Sequence, residues 1–249
     1  MLILITLGFV TVTVIVVVSR WLSAVLMKSK TNGDRRDPST KRYDHVVIIG
    51  GSIAGMTSAA YLSKYFRRVT IVESDDVLND QLMKSTDDQL LSYRCDLSSP
   101  CSVGRSGVSQ SYQIHVLQGE GRKILFDLFP KVQQRLIDGF GACLVSLRKH
   151  FRFVIGDVLL NGNLTDDLYW FCVDRFTLET VLRRELVDQF STDEIQWRCN
   201  TKVSQLIVDR ANNAVLGVRC RQRREEHAQE DLLADLIIDC SGRNGSSMK

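Results

Sequence analysis

Residues 43–74 read YDHVVIIGGSIAGMTSAAYLSKYFRRVTIVES, and this stretch decides the fold. Its first part, residues 45–50, is a β-branched apolar run, which is typical of a strand buried on both faces of a parallel sheet. A glycine-rich turn, a helix-compatible segment and a second apolar strand over residues 68–72 follow, and that strand ends in Glu73. The order of these elements within about 30 residues predicts a βαβ unit.

The turn has the spacing of the dinucleotide-binding pattern G-x-G-x-x-G, with serine at its second glycine, and comprises Gly50, Gly51, Ser52, Ile53, Ala54 and Gly55. Gly50 permits the tight turn, and Gly55 lets the helix approach the sheet closely. The helix that begins near Ser52 would direct its free amides and positive dipole end at a pyrophosphate. Glu73 would accept hydrogen bonds from both hydroxyls of an adenosine ribose and repel a 2′-phosphate. The alternative is a purely structural glycine turn, and the pattern alone does not separate FAD from NAD.

Length and composition favour a folded protein. The chain has 249 residues, of which 44% are hydrophobic, and this is enough for a substantial core. Its formal net charge is only +3, and part of it comes from six basic residues packed within residues 28–42, beside an apolar segment. A nucleic-acid-binding face needs basic charge spread over a folded surface, so nucleic acid is not an expected partner. The sequence carries no signal for an oligomeric state.

The seven cysteines are scattered and form no CxxC pair. This pattern favours reduced, mostly structural thiols in a reducing compartment. Cys95 and Cys101 could bridge or bind a metal, but no matching Cys/His pair follows them, so no metal site is expected.

Residues 1–27 predict a single transmembrane anchor. Residues 2–18 carry no charge, and with residues 21–27 the apolar stretch reaches the roughly 20 residues that cross a bilayer. Residues 28–42 are polar and read as a juxtamembrane linker, which leaves residues 43–249 for the dinucleotide-binding domain. The basic residues after the apolar stretch predict a single-pass membrane protein with a cytoplasmic domain.

Two alternatives to this topology stay open. A cleaved signal peptide would need a basic start, a shorter apolar core and a small-residue cleavage site, none of which is clear. The sequons at Asn163 and Asn244 would be glycosylation acceptors if the domain were lumenal.

The segment DHVVIIGGSIAGMTSAAYLSKYFRRVTIVESD resembles the FAD-binding segment of flavin-dependent monooxygenases and related oxidoreductases. Three later segments are similar to that family in the same order: GRSGVSQSYQIHVLQGEGRKILFDLFP, DRFTLETVLRREL and ADLIIDCSGRNGS. The resemblance implies that Arg105 lies near the cofactor and that Arg175 touches FAD from the start of its helix. It places Gln110 and His115 near the flavin and the substrate. Gln113 stands where the family has a histidine, and no residue is assigned to catalysis.

Two alternatives from the residues themselves accompany these roles. Arg175 precedes an amphipathic helix and would also suit a surface pair with an acid on its own helix. His115 would also suit a hydrogen-bonded packing residue.

The second half predicts strands over residues 195–200, 202–209 and 214–221, with a turn at residues 211–213. This pattern suits a β-meander inserted before the last strand of the cofactor sheet, residues 236–239. The fold class is therefore α/β: a Rossmann-like parallel sheet with an inserted β-meander, preceded by one transmembrane helix. Members of the family continue with a substrate-domain sheet and carboxy-terminal helices that have no counterpart before Lys249.

These observations lead to a membrane-anchored FAD-dependent oxidoreductase that oxidises an apolar small molecule in the manner of a monooxygenase. NAD(P)H is the candidate electron donor. One alternative is a truncated or degenerate relative that acts as a membrane-tethered nucleotide-binding or interaction protein. The other is an FAD- or NAD-linked dehydrogenase or reductase.

Overall fold

A four-stranded parallel sheet lies at the centre of the part of the chain described by the computed structural model, which comprises residues 43–95, 114–160, 168–223 and 229–242. All these residues belong to one compact unit, Lys41–Lys249. The predicted anchor and linker, residues 1–42, lie outside the described residues. Within the ranges given above, no helix is long and apolar enough to span a membrane.

Twelve strands and six helices are described. The strands in chain order are β1 (Tyr43–Ile49), β2 (Phe66–Val72), β3 (Ile114–Leu117), β4 (Cys143–Ser146), β5 (Val154–Ile155), β6 (Val158–Leu159), β7 (Tyr169–Asp174), β8 (Ile195–Arg198), β9 (Thr201–Asp209), β10 (Ala214–Gln222), β11 (Gln229–Leu233) and β12 (Leu236–Asp239). The helices are α1 (Ile53–Leu62), α2 (Gln81–Lys84), α3 (Asp87–Cys95), α4 (Gly119–Leu128), α5 (Pro130–Phe140) and α6 (Arg175–Gln189).

The parallel sheet has the strand order β12-β1-β2-β8. Val46 of β1 pairs with Leu236 on one side and Val69 on the other. β1 is therefore an inner strand, and Val46, Val47 and Ile48 are fully buried. This burial explains its continuous apolar sequence, and the prediction of a Rossmann-like parallel sheet is confirmed.

The two faces of the sheet are covered by different layers. Val46 and Ile48 pack in a core with Met56 of α1 and with apolar residues of α4, α5 and α6. Val47 packs on the opposite face with Val203 and other residues of the meander. The sheet thus lies between helices and a second sheet.

The β-meander is confirmed, but its strands differ from the prediction. β8, expected within the meander, pairs in parallel with β2 and completes the central sheet. The meander consists of β9, β10 and β11 in antiparallel order. Its third strand, β11, was not predicted, because QEDLL is charged and mostly exposed at a sheet edge. The predicted turn before β10 is confirmed by the positive φ of 49° at Asn213.

A separate antiparallel sheet, β3-β7-β4, precedes α6, and β5 and β6 form a hairpin. β7 runs directly into α6, whose residues from Phe176 to Leu186 are all buried. Asp174 caps this helix by accepting a hydrogen bond of 2.8 Å from the Thr177 amide. α6 packs against α1, so its first turn reaches the glycine-rich turn that follows β1.

Candidate functional site

The turn between β1 and α1 lies at the carboxyl edge of the parallel sheet. Gly50 has a φ of +98°, a conformation that favours glycine. Its amide donates to the Val72 carbonyl at 2.8 Å, at the end of β2. A Cβ at Gly50 would lie 2.7 Å from the carbonyl oxygen of Cys240, just past β12. The turn is therefore fixed between the ends of β2 and β12, the two strands that flank β1.

The other two glycines allow close approach of backbone and ring. A Cβ at Gly55 would lie 1.9 Å from the carbonyl oxygen of Gly50, so only glycine lets α1 start this close to the turn. A Cβ at Gly51 would lie 2.4 Å from the indole ring of Trp197, at the end of β8. The contact at Gly55 confirms its predicted packing role, whereas the contact between Gly51 and Trp197 was not predicted.

The start of α1 lies at this edge of the sheet, directly after the glycine-rich turn. Ser52 is the N-cap residue and has an extended backbone, but its side chain makes no capping hydrogen bond. The first turn of this helix contains no acidic residue. The amides of that turn have no acceptor within the helix, and the dipole adds partial positive charge. Such a helix start suits a phosphate group.

Glu73 follows β2 and is held against the turn. Its side chain is buried, with 2% exposure. Oε2 accepts from the Gly51 amide at 2.7 Å, and Oε1 accepts from the Asp75 amide at 3.0 Å and from the Ser74 hydroxyl at 3.1 Å. The acid thus lies at the predicted offset and beside the glycine turn, where it also orders the backbone. Contact with a ribose stays a prediction.

A buried polar cluster connects α1 with α6. Arg175 donates from Nη2 to the Ser52 hydroxyl at 2.9 Å, and that hydroxyl donates to Glu179 Oε2 at 2.9 Å. Glu179 Oε1 accepts from Nη2 of Arg183 at 2.8 Å. The Arg183 side chain is 1% exposed and that of Glu179 is 7% exposed. Burial of these groups requires such pairing, because an unpaired charge in the interior is costly.

Glu179 pairs with two guanidinium groups, those of Arg175 and Arg183. Arg175 Nε lies 3.6 Å from Glu179 Oε2, and it is buried without a hydrogen-bond partner among the described residues. Arg175 also contacts Ser52 at the uncapped start of α1, and a guanidinium at a helix start is suited to an anionic ligand.

The end of β12 lies against the glycine-rich turn, next to Gly50. Gly242, after β12, has a φ of +76°, as expected for the predicted turn. Asp239 accepts hydrogen bonds from both the amide and the hydroxyl of Ser241. Burial raises the pKa of the Cys240 thiol, so this sulfur beside the turn is protonated and suited to packing.

The other predicted site residues lie on β3 or outside the described residues. His115 lies on β3, paired with Val173 in the antiparallel sheet. Arg105 and Gln110 lie outside the described residues. Arg175 contacts Ser52 of the glycine-rich turn and also pairs with Glu179 on its own helix. The second contact is the pairing with an acid of the same helix that was the alternative to a cofactor contact.

Three residues of the site were not predicted. Trp197 contacts Gly51, Glu179 accepts a hydrogen bond from Ser52, and Arg183 pairs with Glu179. The i,i+4 spacing of Glu179 and Arg183 was the available signal, and it was overlooked because such pairs usually lie on a solvated face.

A small cavity of about 80 Å³ lies elsewhere, between the end of β8 and the meander, beside Arg198 and Cys220. Ligand pockets usually measure about 300–1,000 Å³, so this cavity is too small for a dinucleotide. Across the four described ranges, no group of three or more histidine, cysteine or acidic residues converges as a metal site would require.

No protein-family model matches the chain. The chain is 26% identical over 206 residues to Protein Rv3254 of Mycobacterium tuberculosis, and the match covers 80% of this chain and 38% of that protein. The chain therefore spans well under half the length of this relative.

Solved structures with partial similarity include THI4 of Thermovibrio ammonificans, with a TM-score of 0.45 and 16% identity over 94% of this chain and 67% of that one. p-Nitrophenol 4-monooxygenase PnpA of Pseudomonas putida DLL-E4 has a TM-score of 0.47 and 17% identity over 79% of this chain and 40% of that one. The myxobacterial FAD-dependent halogenase CndH has a TM-score of 0.43 and 16% identity over 79% and 36% of the two chains.

Proposed function

We propose that this chain is the cofactor-binding part of an FAD-dependent oxidoreductase, with the FAD pyrophosphate at the start of α1. One observation carries the proposal. An uncapped helix start, an arginine that contacts its N-cap residue and an acid bonded to the glycine turn meet at one edge of a parallel sheet. This is the edge at which open α/β sheets bind their ligands.

The residues present fit an ADP group. The amides of the first turn of α1 would bind the pyrophosphate, and Arg175 would add a charge-assisted hydrogen bond. Gly50 and Gly55 keep Cβ atoms out of the space where backbone elements meet, which holds the turn and the start of α1 together at the sheet edge. Glu73 would accept hydrogen bonds from the ribose hydroxyls, and its negative charge would disfavour a 2′-phosphate.

FAD is preferred to NAD on the sequence resemblance, which extends beyond the fingerprint to the segments around Arg105, Arg175 and Ser241. When bound, FAD would supply the electron transfer, and the protein would supply binding, orientation and exclusion of water. The proposed reaction is oxidation of an apolar small molecule in the manner of a monooxygenase, with NAD(P)H as donor. Because the chain spans 38% of its relative's length, substrate oxidation is proposed for the whole protein.

Membrane attachment is a further part of the proposal. Residues 2–18 are uncharged, and basic residues follow over 28–42, which supports a single-pass anchor with a cytoplasmic domain. Fractionation of cells that express the full chain tests this part separately. Recovery in the soluble fraction, with residues 1–27 intact, would contradict it.

The cofactor proposal is tested by titrating the purified full chain with FAD and following flavin fluorescence. We expect saturable binding at one site per chain. Arg175→Gln should weaken binding about 10- to 100-fold, because a hydrogen bond to a charged group contributes about 1.5–3 kcal/mol. The matched control is Arg219→Gln on β10, since Arg219 pairs with Asp231 at 2.7 Å on the exposed meander. Its affinity for FAD should equal that of the wild type.

Competition separates the candidate ligands. ADP should displace FAD, whereas adenosine 2′,5′-bisphosphate should compete poorly because of Glu73. Absence of flavin binding at saturating FAD would contradict the proposal and favour a non-catalytic, tethered relative. FAD binding with NAD(P)H oxidation that requires no oxygen would favour the reductase alternative.

A further inference from the structure

Strands β4 and β7 bring two cysteines together that are 29 positions apart in the sequence. Cys143 is the first residue of β4, and it lies directly opposite Cys172 of β7 in antiparallel register. Residues directly opposite one another in a sheet project to the same face. The fully buried Phe171 and the buried Val173 face the helical core, so Cys172 and Cys143 share the other face.

The spacing of such a pair suits a covalent bond. Opposed residues of antiparallel strands have Cα atoms about 4.5–5.5 Å apart, and disulfides join Cα atoms about 4.4–6.8 Å apart. Proximity of Cys143 is among the causes that raise the pKa of the Cys172 thiol, in keeping with neighbouring side chains. No backbone rearrangement is therefore needed to bring the sulfurs together.

The pair is also accessible. Cys143 is exposed, and it begins a strand at the edge of its three-stranded sheet. Cys172 is half-buried, between Cys143 and Val116 of the neighbouring strand β3. Both thiols are free in the structure. An exposed thiol with a second thiol beside it is the arrangement in which a first oxidation product is captured as a disulfide.

We propose that Cys143 and Cys172 form a reversible redox modification site, in which a peroxide oxidises the two thiols to a cross-strand disulfide. Cys143 sulfur attacks a peroxide oxygen, the O–O bond breaks, and hydrogen peroxide yields Cys143 sulfenic acid and one water. Cys172 sulfur then attacks the sulfenic sulfur, forming the S–S bond and releasing the hydroxyl with the thiol proton as a second water. Two electrons pass from the two sulfurs to the peroxide.

The environment assigns the order of these steps. Burial, followed by the proximity of Cys143, raises the pKa of the Cys172 thiol above its ordinary value. The exposed Cys143 therefore meets the oxidant first, and Cys172 stays protonated until the sulfenic acid lies next to it. The bond would join β4 to β7 three residues before Arg175, within the strand that leads into α6.

The test uses the full chain, purified with reducing agent and then treated with an equimolar amount of hydrogen peroxide. Free thiols are alkylated, the protein is digested, and the peptides are mapped by mass spectrometry. We expect joint loss of alkylation at Cys143 and Cys172 and a linked peptide pair that is two hydrogen atoms lighter than the two thiol peptides. Dithiothreitol should restore both alkylated peptides.

Variants make the result specific. Cys143→Ser and Cys172→Ser should each abolish the linked peptide, and Cys143→Ser should leave Cys172 reduced. The matched control is Cys220→Ser, at a buried cysteine of the meander, which should leave the link unchanged. The wild-type map does not depend on the folding of any variant.

Two results would overturn the proposal. One is oxidation of Cys143 to sulfenic or sulfinic acid while Cys172 remains alkylated, which would make the pair a packing contact. The other is a linked peptide that joins either residue to a different cysteine in the wild-type protein. FAD binding is measured separately, so failure of the cofactor proposal would leave this result unaffected.

Discussion

Replacement of Gly55 by alanine tests the geometry of the turn, with Gly121→Ala as a matched control. Both glycines are the third residue of a helix, α1 and α4 respectively. In open surroundings alanine is favoured over glycine in a helix by up to about 1 kcal/mol. A Cβ at Gly121 meets nothing within 4 Å, so Gly121→Ala should be neutral or stabilising by up to that amount.

Gly55→Ala should have the opposite sign. Its Cβ would lie 1.9 Å from the Gly50 carbonyl oxygen, whereas real Cβ atoms essentially never approach closer than 3.0 Å. The helix start must therefore retreat by roughly 1 Å, and overpacking of this kind costs about 1–3 kcal/mol. We expect a net loss near 2 kcal/mol and a Tm lower by about 4–8 °C in a domain of this size.

The assay is urea unfolding of both variants, followed by far-ultraviolet circular dichroism and tryptophan fluorescence, together with FAD titration. Gly55→Ala should lower the urea midpoint and weaken FAD binding, because the amides of α1 move away from the pyrophosphate. Gly121→Ala should neither lower the urea midpoint nor weaken FAD binding. Equal urea midpoints for the two variants would refute the close contact between helix and turn.

Three further predictions concern buried charges. Glu73→Gln should weaken FAD binding about tenfold or more, since a charged hydrogen bond contributes about 1.5–3 kcal/mol. Unchanged affinity in the FAD titration would show that Glu73 does not contact FAD. Glu179→Gln should lower the free energy of unfolding by about 3 kcal/mol, because the buried Arg183 would lose the carboxylate of Glu179. Urea unfolding measures this free energy. Burial lowers the pKa of His45, and in the neutral ring Nε2 accepts a hydrogen bond from the Thr70 hydroxyl at 2.8 Å. The contribution of His45 to the free energy of unfolding should therefore be fully present above pH 6.5 and should decline as the pH falls below that value. His45→Gln should flatten that dependence, and an equally steep loss in this variant would contradict the assignment to His45.

The sequence predicted the central βαβ unit because each of its signals is local. The apolar run of β1, the glycine spacing and the acid after β2 all lie within residues 43–74, and the structure places Gly50 and Glu73 in one turn region. The φ of +98° at Gly50 and the overlap at Gly55 are the physical reasons for those glycines.

The errors arise where pairing between distant strands decides the outcome. Residues 195–200 were identified as a strand but assigned to the meander, because periodicity does not report a parallel partner 126 positions earlier, such as Val69 for Ile195. β11 was missed because its exposed, charged sequence gives no apolar signal. Sequence spacing likewise could not predict that Cys143 and Cys172 are cross-strand neighbours.

Part of the candidate site depends on tertiary burial. Glu179 and Arg183 resemble a solvated helix pair in the sequence, yet α6 is buried around its whole circumference over residues 176–186. Their pairing with Ser52 and Arg175 exists only once α6 packs against α1. The indole of Trp197 reaches Gly51 for the same reason, since β8 joins the sheet beside β2.

The most direct test is a crystal structure of residues 43–249, or of the full chain, grown with FAD. We expect the pyrophosphate oxygens within hydrogen-bonding distance of the amides of Ile53 and Ala54, with the ribose hydroxyls against Glu73 and a phosphate oxygen against Arg175. FAD bound elsewhere, or a glycine turn that stays closed to phosphate at saturating FAD, would contradict a dinucleotide site at this edge of the sheet.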